Sequence, residues 1–302
     1  METLAGVSLK HADGAFAGAG GLRITWQSWH DVTAPTRAHV VVAHGAAEHG
    51  GRYVRVAREL APRGFPVWAI DHRGHGRSEG RRIMVDRFAH ATADLDRLID
   101  TVTASDPGRP VFLLGHSMGG ALSLLYGLER QERLAGMVLS APAASDAGAP
   151  AHLRIAGTLQ ADRVLSRFAP GLGLLALDPE GLSRDPTEVR AYIEDPLVTV
   201  GKLPARTAGE LRRAIRGPFA RDLGALTLPL LLLHGAADPL VPVAAGEHIR
   251  DRVSGQDVTL LVYPDARHEL FNELPEARDR ALADLVGWLD GHAPRRTGRF
   301  TR

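Results

Sequence analysis

The chain contains no cysteine in 302 residues. That removes disulfides, thiolate metal ligands and thiol nucleophiles together. It also lacks an excess of either charge: 36 basic residues face 35 acidic ones, for a formal net charge of +1. Such a chain has no whole-molecule field with which to recruit nucleic acid or an anionic membrane. Nucleic acid is therefore not an expected partner, and any contact with lipid must come from a local apolar surface. Long hydrophobic runs are missing as well: the uncharged stretch 110–128 is broken by Gly, His and Ser, and no unbroken apolar run approaches the roughly 20 residues of a membrane-spanning helix. The opening METLAGVSLKHADGAF has no basic start followed by an apolar run, so a cytoplasmic protein is the expectation. The closing HAPRRTGRFTR, basic and without apolar period, reads as a frayed end.

What the chain does have is 44% hydrophobic and 24% charged residues, the balance of a globular protein with a sizeable core. Short apolar runs alternate with longer amphipathic ones, the pattern of strands and crossover helices in a mostly parallel sheet. Strands are expected near residues 23–29, 40–43, 67–70, 111–114, 137–140, 230–233 and 259–262. Apolar residues spaced by three and four predict helices over 53–61, 86–101, 119–129, 244–253 and 275–289. The alternation breaks over about 141–223, which is rich in Pro and Gly and has no convincing strand. An irregular stretch between two buried strands reads as a cap or lid on the sheet. The expected organisation is a core over 1–143, a helical cap over 144–218 and a second core part over 219–302. The uncharged run at 169–177, APGLGLLAL, fits either the cap's own core or a surface facing substrate or membrane.

A serine hydroxyl is a poor nucleophile and needs a base, a group orienting that base, and donors for the developing oxyanion. The run Gly115-His116-Ser117-Met118-Gly119 follows an apolar strand and precedes an Ala/Leu-rich helix, the context of a nucleophile elbow. The five-residue pattern alone is weak and occurs again at Gly76-Arg77-Ser78-Glu79-Gly80. Ser78, however, sits in a charged loop with no strand directly before it, so context selects Ser117. Asp238 follows the strand at 230–233, and His268 follows the next one. Loops at the carboxyl ends of parallel strands share one edge, so Ser117, Asp238 and His268 can converge there. Asp265 is the rival acid, but lies only three residues before His268 in the same loop. Two backbone N–H groups should form the oxyanion hole: Met118 after the nucleophile, and Ala46 in the loop that follows the strand ending at Ala43.

Six blocks then carry a specific resemblance: HGAAEHGGRY at 44–53, DHRGHGRSEG at 71–80, GHSMGG at 115–120, SRDPTEVRAYIEDPLV at 183–198, HGAADPLVP at 234–242 and ARHELFNE at 266–273. In their order the chain resembles monoacylglycerol lipases of the α/β-hydrolase superfamily, in the lysophospholipase-like group. The resemblance implies an α/β-hydrolase fold, a mostly parallel central sheet flanked by helices, with a helical cap inserted after the sixth strand. It implies a triad of Ser117, Asp238 and His268, oxyanion donors at Ala46 and Met118, and no metal or organic cofactor. The implied substrate is a fatty-acid monoester of glycerol, and the implied partner a membrane or lipid-droplet surface touched transiently by the cap. Residues 153–165 and 169–177 are candidates to line the acyl route. Glu48, Arg52 and His116 are expected near the polar head of the substrate or in a local hydrogen-bond network. One departure stands out: the family's first loop usually has Gly where this chain has Ala47.

Fold and triad are shared by other hydrolases. The alternatives are a carboxylesterase, lysophospholipase or thioesterase with the same triad, and more remotely a non-catalytic binding protein on this fold. A peptidase is less favoured, because nothing marks an acidic pocket for a free amino terminus. The residues assign no oligomeric state.

Overall fold

A computed structural model describes residues 3–4, 7–145, 164 and 166–294. Eleven strands are formed among them: β1 (Thr3–Leu4), β2 (Val7–Ala17), β3 (Arg23–Asp31), β4 (His39–Ala43), β5 (Val67–Ile70), β6 (Val111–His116), β7 (Gly136–Ser140), β8 (Gly173–Ala176), β9 (Lys202–Pro204), β10 (Leu230–Gly235) and β11 (Val258–Tyr263). The main helices are α1 (Val54–Leu60), α2 (Phe88–Ser105), α3 (Met118–Arg130), α4 (Pro186–Glu194), α5 (Ala205–Arg216), α6 (Pro218–Arg221), α7 (Ala244–Arg250) and α8 (Pro275–His292).

Nine strands build one sheet in the order β1-β2-β3-β5-β4-β6-β7-β10-β11. The pairs from β5 to β11 are parallel, whereas β1, β2 and β3 join antiparallel at one edge. The central strands read as unbroken apolar runs because helices cover both faces. In β6 and β7 every residue is buried. Successive side chains point to opposite faces: Val41, Leu113, Leu139 and Leu232 pack against α2, α3 and α7, while Val40, Leu114, Val138 and Leu231 pack against α1 and α8.

The antiparallel strand β2 was not expected. Its half-buried positions include Ala12 and Gly14, too small to announce a buried face. Gly14 lies opposite Trp26 on β3, and a Cβ there would come within 2.4 Å of the indole. The glycine makes room for the ring.

The insertion leaves the sheet after β7, the sixth strand if the two-residue β1 is set aside, and the sheet resumes at β10. The expectation that this region holds no strand needs correction: β8 and β9 form a small antiparallel pair. Two short strands interrupted by Gly and Pro leave no alternation to read. Of the stretch 153–165, all but residue 164 lies outside the described residues. So does the tail from 295 to 302.

Candidate active site

Four loops at the carboxyl edge of the parallel strands bring the candidate residues together. Ser117 is the single residue between β6 and α3, with φ 53° and ψ −115°, a backbone region that a side chain strains to occupy. The turn is held by Ser117 N–H donating to Ser140 O at 3.0 Å, and by Ser117 O accepting from Ala121 and Ala143. The flanking glycines are there for space. A Cβ on Gly119 would lie 2.0 Å from Ala43 O, and one on Gly115 would lie 2.4 Å from Ser123 Oγ.

Asp238 follows β10. Its Oδ1 accepts from the Leu240 and Val241 N–H groups at 2.8 and 2.9 Å, and its Oδ2 accepts from His268 Nδ1 at 2.7 Å. These bonds fix both carboxylate oxygens and leave His268 Nε2 for the cleft. Burial pushes the Asp238 carboxyl up, but His268 and the Val241 N–H outweigh it and hold it below its ordinary range. Burial likewise works against a charged His268. The charge and hydrogen bond of Asp238, with Glu269 and Glu48 behind, raise that imidazole above its usual 6.5.

Ser117 and His268 line one cleft with Gly45 and Ala46, and the cap closes over it with Leu177, Leu182 and Tyr192. Ala46 lies in the loop after β4, and Met118 opens α3. Among the described residues no acceptor takes the N–H of either. Asp265 is exposed and makes no hydrogen bond to His268. Ser78 is buried elsewhere, donating to Asp71 O at 2.6 Å and accepting from Thr25 N–H at 2.8 Å. Its glycines serve a structural loop: a Cβ on Gly76 would collide with the Asp71 carboxylate.

Beside the cleft, Arg52 anchors a buried network. Its guanidinium forks onto Glu269 at 2.6 and 2.7 Å, reaches Glu48 at 2.8 Å and lies 4.8 Å over the Tyr192 ring. Burial would lift both acids, yet Arg52 overrides it: Glu269 falls to about 2 and Glu48 also lies below its ordinary value. Glu48 Oε1 in turn accepts from Gly45 N–H at 2.6 Å and from the Tyr53 hydroxyl at 3.0 Å. His116 donates from Nδ1 to Ser140 O and stands 4.7 Å from the His268 ring. Burial first, and the neighbouring His268 second, push it down to about 4, so it is neutral near pH 7. Thus Glu48 and Arg52 share a hydrogen-bond network with Glu269 at the cleft, while His116 bonds Ser140 O and packs against His268. Glu269 was missed, although its place directly after His268 put it at the site.

Ala47 has φ 69°, the left-handed region that favours glycine. Its carbonyl accepts from Thr199 N–H of the cap at 3.0 Å. Among the described residues no group of three or more His, Asp or Glu side chains is arranged to hold a metal ion.

A mostly parallel sheet with a serine elbow, a buried Asp–His pair and a cap over their cleft defines an α/β-hydrolase. The family model described as "Serine aminopeptidase, S33" matches residues 34–275. The "Monoacylglycerol lipase" of Mycolicibacterium smegmatis is 42% identical over 291 residues, covering 95% of this chain and 99% of that protein. The human "Monoglyceride lipase" is 38% identical over 273 residues, 90% of this chain and 88% of that protein. Among solved structures, the monoacylglycerol lipase of Paleococcus ferrophilus superposes with a TM-score of 0.76 at 30% identity, covering 94% and 99% of the two chains. The chain belongs to the serine aminopeptidase S33 family of α/β-hydrolases, on its monoacylglycerol lipase branch.

Proposed function

We propose that this chain hydrolyses monoacylglycerols to fatty acid and glycerol through an acyl-enzyme on Ser117. The observation that carries the reading is one cleft lined by an elbow serine, a histidine oriented by a buried aspartate, and apolar cap residues. In the first half-reaction His268 takes the Ser117 proton as the oxygen attacks the ester carbonyl. Asp238 fixes the Nδ1–H tautomer and stabilises the imidazolium. The N–H groups of Ala46 and Met118 bind the oxyanion. Glycerol leaves with the proton from His268, and a water activated by the same ring releases the fatty acid.

The peptidase reading suggested by the family's name is disfavoured by charge. Of the three carboxylates lining the cleft, Glu48 and Glu269 are engaged by Arg52, and Asp178 accepts from the Glu180 N–H in a turn of the cap, so no cluster of free acids marks a site for an α-ammonium group. The cap, taken as residues 144–218 between core segments 1–143 and 219–302, supplies the apolar wall. No helix among the described residues is long and apolar enough to cross a membrane. The cap nevertheless exposes Phe168, Leu172 and Leu174. Arg167 lies 5.9 Å from the Phe168 ring, the Arg81 guanidinium lies against Gly171, and Lys202 packs beside Gly173. An apolar patch rimmed by cations fits an anionic lipid surface, and we assign the chain as a cytoplasmic enzyme that visits one.

The test is fatty-acid release from monoacylglycerols of graded chain length, beside lysophosphatidylcholine and short activated esters, by wild type and Ser117→Ala. Preference for the glycerol monoesters, lost by several orders of magnitude in the variant, is the expected result. Activity on short activated esters alone would keep the triad and reject the lipase.

A further inference from the structure

The peptide that carries the Ala46 N–H is held by a side chain behind the cleft. His44, next after β4, is fully buried. Its Nδ1 lies 2.7 Å from Gly45 O, and its Nε2 lies 2.9 Å from the His72 backbone nitrogen. A backbone N–H only donates, so Nε2 is the bare, accepting nitrogen. The ring's single proton is therefore on Nδ1 and is donated to the Gly45 carbonyl. Burial favours this neutral form against the pull of Glu48 and Asp71. The neighbouring His72 and His75 rings, 4.5 and 5.3 Å away, are likewise kept neutral by burial.

The Gly45 carbonyl and the Ala46 N–H belong to the same planar trans peptide, where they point in opposite directions. Fixing the oxygen fixes the N–H. The preceding peptide is held from the other side, by Gly45 N–H donating to Glu48 Oε1 at 2.6 Å. This loop abuts the nucleophile: a Cβ on Gly45 would lie 3.3 Å from Ser117 Cβ. We propose that His44 is a positioning residue of the oxyanion hole, its Nδ1–H turning the Gly45–Ala46 peptide so that the Ala46 N–H faces the developing oxyanion. The proposal rests on the reading of Ser117 as nucleophile and Ala46 as donor.

Two isosteric fragments of the imidazole separate this role from simple packing. In His44→Asn the amide nitrogen can stand where Nδ1 stands and keep the bond to Gly45 O. His44→Gln reaches the Nε2 position and keeps a partner only for His72. In the Gln variant kcat on a short ester should fall about 10²-fold with KM little changed, the order expected when one oxyanion donor is misplaced. Affinity for a trifluoromethyl ketone, which forms a tetrahedral oxyanion adduct on the serine, should weaken in parallel. The Asn variant should recover most of both. Wild-type kcat in the Gln variant, equal losses in the two variants, or a loss of kcat without one of ketone affinity would overturn the proposal. Failure of the underlying reading looks different: wild type would not hydrolyse esters, or Ser117→Ala would bind the ketone as tightly. Should neither His44 variant fold, nitrogen-15 imidazole spectra of the wild type decide, an Nδ1–H tautomer for His44 supporting the proposal and an Nε2–H tautomer overturning it.

Discussion

Two non-glycine residues at the site hold backbone angles that glycine would take without strain, and each leads to a measurable consequence. Ser117 sits at φ 53° because the elbow must lift its side chain between β6 and α3, and Ala47 sits at φ 69° beside the oxyanion loop. Residues in such regions cost of order 1–3 kcal/mol, recovered from the surrounding structure. Ser117→Gly should therefore be as inactive as Ser117→Ala yet more stable than it by about 1 kcal/mol, read from urea midpoints. Ala47→Gly should match or exceed the wild type, because relief of strain offsets the added freedom of the unfolded chain. A second consequence concerns His268, which in the proposed mechanism must be neutral to accept the Ser117 proton. With its pKa raised, kcat/KM should climb with pH through a midpoint above 6.5. Asp238→Asn removes the largest raising influence while burial remains, so that midpoint should move to lower pH, with kcat down about 10⁴-fold. A midpoint that stays put would show that another group sets the acid limb.

Among the elements, those with a strong apolar pattern were legible from the chain alone. The expected strand at 111–114 falls within β6, whose residues are buried on both faces of the sheet, and the expected helix at 275–289 falls within α8, whose buried apolar residues share one face. The edge strand β2 and the cap pair β8–β9 were not legible, since Gly, Ala and Pro take the inward or paired positions and carry no periodic signal. The triad candidates could be found from local context, each next to its own strand. The pairing of Arg52 with Glu269 could not, because they are 217 residues apart and only the folded sheet makes them neighbours. The run at 169–177 left two readings open, and the exposure of Leu172 and Leu174 favours the surface over the cap's interior. Replacing Phe168, Leu172 and Leu174 by Ser should weaken sedimentation with anionic vesicles and slow hydrolysis of monoacylglycerol dispersed in them, while a soluble short ester is turned over as before. Added salt should weaken vesicle binding of the wild type, since the contribution of Arg81, Arg167 and Lys202 is screened. Equal losses on both substrates would mean that these side chains only support the cap.

At the scale of the whole molecule, the Arg52 network ties together segments that the chain keeps far apart. Arg52 comes from the loop before α1, Glu269 from the loop after β11, and Tyr192 from the cap helix α4. Nearby, Arg55 bonds both Glu188 of the cap and Asn272 of the last loop, and His49 meets Asp195. The cap is thus fastened to the core around the base of His268, so the network's stability and the site's geometry depend on the same ion pairs. Glu269 is the member whose titration can be followed. Its pKa is depressed to about 2 from an ordinary 4.5, so it contributes stability that is present above pH 4.5 and is lost as the pH falls towards 2. Glu269→Gln leaves Arg52 buried with Glu48 as its remaining anion, and should cost about 3 kcal/mol at neutral pH. Because the variant has no carboxylate to titrate there, its stability should fall less than that of the wild type on acidification. Urea midpoints of the two proteins should therefore converge as pH is lowered below 4.5. A gap that stays constant down to the acid limit would mean that the loss comes from packing around Asn272 and Tyr192, with the ion pair contributing nothing net.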